Sequence, residues 1–301
     1  MNTQDIIKLA KKHFAEMDET IFEVLTIAKP ATIAEAVHLA KIVSKLSPMV
    51  GNLIEFRSVE ELNKKTEYKP HGVWKRQDPG FPDTVFESKI SPQPGFEIKA
   101  WFPLATEITA RFKDSQKHFS QDQTYVAMLA WLPEKIIFGR PKILDILVVS
   151  GQSVATARDT HYHNPPDYLV IEPEDTSTRT RNLQQTNTAG YKFQDDEKKF
   201  AEAKKIVKTW GASGNKYLHT ADYQKKLREL LSKFTYRLDT NFAKMDRIEH
   251  AEIEKFKKKV LKQVVEGHTI EEWAKIITSD DEKILANAIE DLVKKPKRKG
   301  S

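Results

Sequence analysis

Two apolar runs constrain the fold of this chain more than any other feature. Tyr125 to Leu132 and Ile143 to Ser150 carry almost no charge. At this length, with turn residues on either side, such runs read as strands buried on both faces rather than as helices. Buried strands need helices to cover them, and the flanking sequence supplies these. The expected fold class is α/β: a mixed central β-sheet flanked by helices, with a helical C-terminal subdomain.

Upstream of these runs lies the stretch from Gly80 to Phe102, which reads as a hairpin. Phe81 to Ile90 and Phe96 to Phe102 are strand-forming, and Pro92-Gln93-Pro94-Gly95 between them is turn chemistry. Gly72 to Gln77 reads as a strand leading into it. Side chains alternate across a strand, so Glu97 and Lys99 share one face while Phe96, Ile98 and Ala100 share the other. Asp83 stands near the start of the first strand, fourteen positions before Glu97. The hairpin therefore brings two carboxylates and an ammonium onto one surface with an apolar layer behind it. Mg²⁺ is held by one or two carboxylates together with substrate phosphate oxygens, which is what Asp83 and Glu97 can offer. Lys99 would orient the attacking water or stabilise the transition state. A shared ion requires the two acids within about a nanometre of each other and on one side of the sheet.

Pro82-Asp83 followed by Glu97-Ile98-Lys99 resembles the Pro-Asp … (Asp/Glu)-x-Lys signature of the PD-(D/E)XK nuclease superfamily. Glu87-Ser88-Lys89 repeats the acid-x-Lys pattern but lies on the same strand as Asp83, where it cannot make the same cross-strand site. Glu55 follows Gly51 by four positions on a helix expected from Pro48 to Lys64, with Ser47 as its N-cap. By the resemblance, Glu55 matches a helical glutamate that joins the metal site. The resemblance further implies a restriction-endonuclease-like core and a Mg²⁺-dependent type II restriction enzyme. Such an enzyme acts on double-stranded DNA as a homodimer in a bacterial or archaeal cytoplasm and leaves 5′-phosphate and 3′-hydroxyl ends. A repair or recombination nuclease of the same superfamily and a noncatalytic DNA-binding protein are the alternatives.

Bulk properties agree with a polyanionic partner without requiring one. The 301 residues carry a formal net charge of +6, with 31% charged and 39% hydrophobic residues. There is no cysteine, which excludes a disulfide framework and a thiolate zinc site and suits a reducing compartment. Nothing reads as a signal peptide or a membrane span.

Thr176 to Phe193 changes character, with few core residues and many base-reading ones. Arg179 and Arg181 suit guanine, while Asn182, Gln184, Gln185 and Asn187 suit adenine. These six are the expected DNA-binding residues. The remaining sequence reads as helices. Residues 1–45 hold apolar faces through Ile6, Phe14, Ile21, Phe22 and Ile27, and Thr32 with Glu35 forms a capping signal after Lys29-Pro30. His13 and His38 read as helix-surface or partly packed residues. Ser153 to Asn164 forms a helix on which His161 and His163 point apart, and Leu169 to Ile171 reads as a short strand. The expected domains are 1–195, N-terminal helices plus the nuclease-like core, and 196–301, a helical subdomain ending in a basic tail.

Overall fold

A computed structural model of the chain describes residues 1–77, 80–104, 119, 121–163, 168–170, 192–194, 197–211, 222, 225, 226, 229, 230, 233, 250–279 and 281–294. Five strands form the central sheet in the order β1-β2-β3-β4-β5. They are β1 (Val73–Arg76), β2 (Thr84–Glu87), β3 (Gly95–Trp101), β4 (Thr124–Pro133) and β5 (Pro141–Ser150). All neighbours are antiparallel except β3 and β4, so the sheet is mixed and helices flank it, as expected.

Every residue of β4 is buried, which accounts for its uninterrupted apolar run. The second run was expected to be equally central, yet β5 is the last strand of the sheet, with Ile146, Leu147 and Val148 only half-buried. Its apolar residues lie against the helices Thr3–Ala15 and Ala251–Leu261, and the chain around residues 20–27 pairs with the start of its outer edge. Phe22 N donates to Pro141 O at 2.8 Å, Ile143 N to Thr20 O at 2.9 Å and Ile27 N to Gly139 O at 3.0 Å. This strap corrects the helical reading of Ile21 to Ile27. Those residues have helical spacing, but the open backbone groups of β5 give them a better partner than their own turn would.

Helix α1 (Thr3–Ala15) opens with a capping box between Asn2 and Asp5 and buries Ile6, Ile7, Ala10 and Phe14. Helix α2 (Ile33–Ile42) is capped by Thr32, as expected. It passes through a 3₁₀ turn (Val43–Leu46) into α3 (Ser47–Asn63), so Ser47 is a helical residue and not the N-cap the sequence suggested. Helix α3 packs on β1 and β3. From its end, the Asn63 side chain accepts from Trp74 N at 2.9 Å and donates to Trp74 O at 2.8 Å, which occupies part of the outer edge of β1.

Behind the hairpin, Phe96 packs on Phe14 and Trp74 with ring centroids 5.0 and 5.4 Å apart, and Phe86 packs on Trp74 at 5.1 Å. This is the apolar layer that alternation along β3 anticipated. His13 belongs to it. It is buried with Nδ1 2.8 Å from Tyr68 Oη, rather than at the helix surface or partly packed.

The chain forms two compact units, residues 1–159 with 244–301, and residues 160–243. The boundary anticipated at residue 195 falls inside the second. Helix α4 (Gly151–His163) continues from β5. In the second unit β6 (Tyr168–Val170) pairs antiparallel with β7 (Lys192–Gln194), and α5 (Glu197–Lys208) follows. In the first unit, α6 (Ala251–Leu261) lies against β5, a short hairpin of β8 (Val264–Val265) and β9 (His268–Thr269) leads to α7 (Ile270–Ile277), and α8 (Glu282–Lys294) lies against α2. Lys259 holds Asp145 at 2.8 Å, pinning α6 to β5. The expected DNA-binding residues Arg179, Arg181, Asn182, Gln184, Gln185 and Asn187, and the tail beyond Lys294, lie outside the described residues. Among the described residues, no helix is long and apolar enough to cross a membrane.

Candidate active site

Asp83 directly precedes β2, and its position is fixed from three sides. Its carbonyl accepts from Gln77 N at 2.8 Å, tying it to the end of β1. Pro82 lies against Gly95, where a Cβ would come within 2.6 Å of the proline ring, so a glycine is needed for the two strands to approach here. The Asp83 carboxylate then reaches across to β3 and accepts from Ile98 N at 2.7 Å through Oδ2. In return Asp83 N donates to Glu97 Oε2 at 3.3 Å. β2 and β3 pair through Thr84 with Phe96 and Val85 with Gly95, which sets the register that makes this exchange possible.

Lys99 completes the group. Its Nζ lies 2.5 Å from Glu97 Oε1 and 3.6 Å from Asp83 Oδ2, so one ammonium bridges both acids. The side chains of Asp83 and Lys99 are 22% and 24% exposed and that of Glu97 is 11% exposed, so the group opens on solvent while remaining largely desolvated. Glu87 is occupied elsewhere, paired with Lys75 at 2.6 Å. The expected trio is therefore gathered on one side of the sheet.

Glu55 projects from α3 and stands 3.6 Å from Arg76 Nη2 at the end of β1. Gly51, one turn earlier, faces Ala100 at an ordinary packing distance, so the small residue is not forced there by lack of space. Sequence reasoning did not include Arg76 in the site. Its position opposite Thr84, the neighbour of Asp83, was the available signal once the pairing of β1 with β2 was fixed.

The electrostatics are those of crowded carboxylates in a partly dry site. Burial, and then repulsion from Asp83 and Glu97, push the Glu55 carboxyl up to about 7, with Lys99 and Arg76 opposing. Burial also raises Glu97, against the pull of Lys99. For Lys99 burial acts downward, but Glu97, Asp83 and Glu55 outweigh it and its value is raised, so it is an ammonium at neutral pH.

The donor set suits a hard divalent cation. Two carboxylates that already converge on one positive charge, with open solvent beside them, match what Mg²⁺ asks of a protein, which is one or two acids and room for water and phosphate. Among the described residues no group of three or more His, Cys, Asp or Glu side chains is arranged to hold a metal ion, so Glu55 does not complete a three-acid cage in this geometry.

Fold and site together define the class: a mixed α/β sheet whose third strand, with the residue just before the second, presents an acid pair and a lysine. No family model, curated protein or solved structure matches the chain.

Proposed function

We propose that this chain is a Mg²⁺-dependent endonuclease that hydrolyses phosphodiester bonds of double-stranded DNA at a specific sequence, as a type II restriction enzyme does. The observation that carries this reading is the single ammonium of Lys99 lying 2.5 Å from Glu97 and 3.6 Å from Asp83 on one open surface. Asp83 and Glu97 would hold Mg²⁺. When bound, the ion neutralises phosphate charge and acidifies its water. Lys99 is a charged donor at neutral pH, and released from the acids it stabilises the negative charge that builds on the phosphoryl oxygens. Arg76 keeps Glu55 beside this group, where its carboxyl exchanges a proton near neutrality.

The net charge of +6 favours a polyanion. Arg179, Arg181, Asn182, Gln184, Gln185 and Asn187 supply the side chains that read guanine and adenine. As in the enzymes this reading resembles, the proposed assembly is a homodimer in which each copy's centre cuts one strand.

Digestion of one defined plasmid with Mg²⁺ tests the reading. Discrete fragments are expected. A smear would assign the same chemistry to a repair or recombination nuclease that reads DNA shape. Plasmid that is bound yet stays intact with both Mg²⁺ and Mn²⁺ would leave a noncatalytic DNA-binding protein in which the ion-paired hairpin is structural.

A further inference from the structure

We infer that the exposed face of α6 is a contact for the phosphate backbone of DNA, made by Lys255, Lys258 and Lys262; that the polyanion is DNA rests on the nuclease reading. The three residues follow one another at spacings of three and four along one side of the helix, with Lys262 as its C-cap, and all are exposed. None of them is ion-paired among the described residues, whereas Lys257 holds Glu254 at 3.1 Å and Lys259 holds Asp145 at 2.8 Å. Other helices of the same compact unit set an acid one turn from an exposed lysine, as Glu16 beside Lys12, Glu271 beside Lys275 and Glu290 beside Lys294. On α6, Lys258 and Lys259 stand one turn on from Lys255, and Lys262 one turn on from Lys258. Like charges at these spacings repel and weaken a helix. Glu252, one turn before Lys255, lies near enough to Lys11 to support that residue's charge instead. The helix dipole favours cations in the last turn, but Lys255 lies in the middle.

The opposite side of α6 is anchored. Ile253, Phe256 and Val260 are buried, Phe256 lies against Trp101 with ring centroids 5.8 Å apart, and Gln263 just past the helix end donates to Leu144 O at 3.0 Å. The backbone beneath the lysines is therefore fixed, and what it presents is a row of like charges that a polyanion relieves. From Lys255 to Lys262 the helix rises ~10.5 Å, and over that length a duplex carries about six phosphates on its two strands. Each phosphate neutralised releases condensed counterions, which is the source of the affinity. With Ile253, Phe256 and Val260 all inside, α6 has no apolar stripe to lay into a lipid surface, so a regularly charged duplex suits this face and a membrane does not.

The test measures affinity for a short DNA duplex in EDTA over a series of salt concentrations, with plasmid cleavage in Mg²⁺ scored separately. Four full-length proteins are compared: wild type, Lys255→Gln/Lys258→Gln/Lys262→Gln, Lys255→Arg/Lys258→Arg/Lys262→Arg, and the control Lys45→Gln/Lys69→Gln/Lys89→Gln. The control removes the same charge from exposed positions scattered over the same unit. In the glutamine triple on α6, the slope of log affinity against log salt is expected to flatten by about 2–3, with binding at least ~10-fold weaker near 0.1 M salt. The arginine triple and the control should stay near wild type. Thermal midpoints should not fall in either α6 triple, since glutamine removes repulsion and arginine keeps the charge. Equal losses in the two glutamine triples, or an unchanged slope in the α6 one, overturn the inference. So does a loss confined to phosphatidylserine vesicles with duplex binding intact. A slope that follows the α6 charges in a protein that never cuts plasmid supports the contact and removes the nuclease reading alone. A wild type that binds no DNA overturns both.

Discussion

Ile98 donates its backbone N–H to Asp83 Oδ2 at 2.7 Å, and the residues on either side of Ile98 are Glu97 and Lys99. One hydrogen bond thus docks the first acid onto the strand that carries the other two groups.

Asp83→Asn keeps an acceptor for that bond and removes only the charge. Cleavage is expected to fall by about 10²- to 10³-fold, while the urea midpoint stays near wild type. Asp83→Ala removes both and leaves the Ile98 N–H unpaired, which should cost a further ~1–3 kcal/mol of stability. Equal stability of the two variants would show that the bond does not dock the acid.

Glu55 makes stability pH-dependent in a definite direction. Its carboxyl has an ordinary value of 4.5 and is pushed up to about 7 in the fold, so the folded chain holds the proton more tightly than the unfolded one. The stabilisation is complete below about pH 4.5 and is lost as pH rises through about 7. Glu55→Gln should therefore be more stable than wild type at pH 8 by up to ~3 kcal/mol and nearly equal to it at pH 4. Glu97 shifts in the same direction and repels Glu55, so the difference between their urea curves reports Glu55 together with its coupling to Glu97.

Lys99→Met leaves Asp83 and Glu97 facing each other without a cation. Removing one partner of a fully buried ion pair costs about 3–5 kcal/mol, and the loss here should be smaller because the group is partly exposed. Millimolar Mg²⁺ should raise the thermal midpoint of this variant more than that of wild type, where the ammonium competes for the same oxygens. The extra rise should vanish in Lys99→Met/Asp83→Asn. A midpoint indifferent to Mg²⁺ in Lys99→Met would count against a metal on these acids.

Gly95→Ala places a Cβ 2.6 Å from the Pro82 ring and 3.1 Å from Thr84 O. Backbone must shift to make room, costing about 1–3 kcal/mol. Cleavage should fall with it, because Pro82 carries Asp83. Full activity at wild-type stability would show that the approach of the two strands does not set the geometry.

The trio was legible because it depends on local rules: period-two alternation placed Glu97 and Lys99 together, and the Pro/Gly turn returned β3 to Asp83. The apolar layer of Phe96 and Ile98 behind it followed from the same alternation. What escaped depended on partners remote in sequence. Nothing local distinguishes Ile21 to Ile27 as a strap, since its partners are Lys142 and Gly139 on the far edge of the sheet. Burial of His13 likewise depends on Tyr68, 55 residues away. The recruitment of Arg76 to Glu55 requires knowing which end of β1 meets α3.

The central claim is that Asp83 and Glu97 form one cation-binding pair set against a DNA backbone. Supercoiled plasmid incubated with Mg²⁺ and either wild type, Asp83→Asn or Glu97→Gln tests it most directly. Wild type should convert the plasmid to nicked and linear forms and EDTA should stop it, while both variants bind the plasmid and leave it supercoiled. Cleavage by either variant at the wild-type rate, or none by folded wild type, would contradict the account.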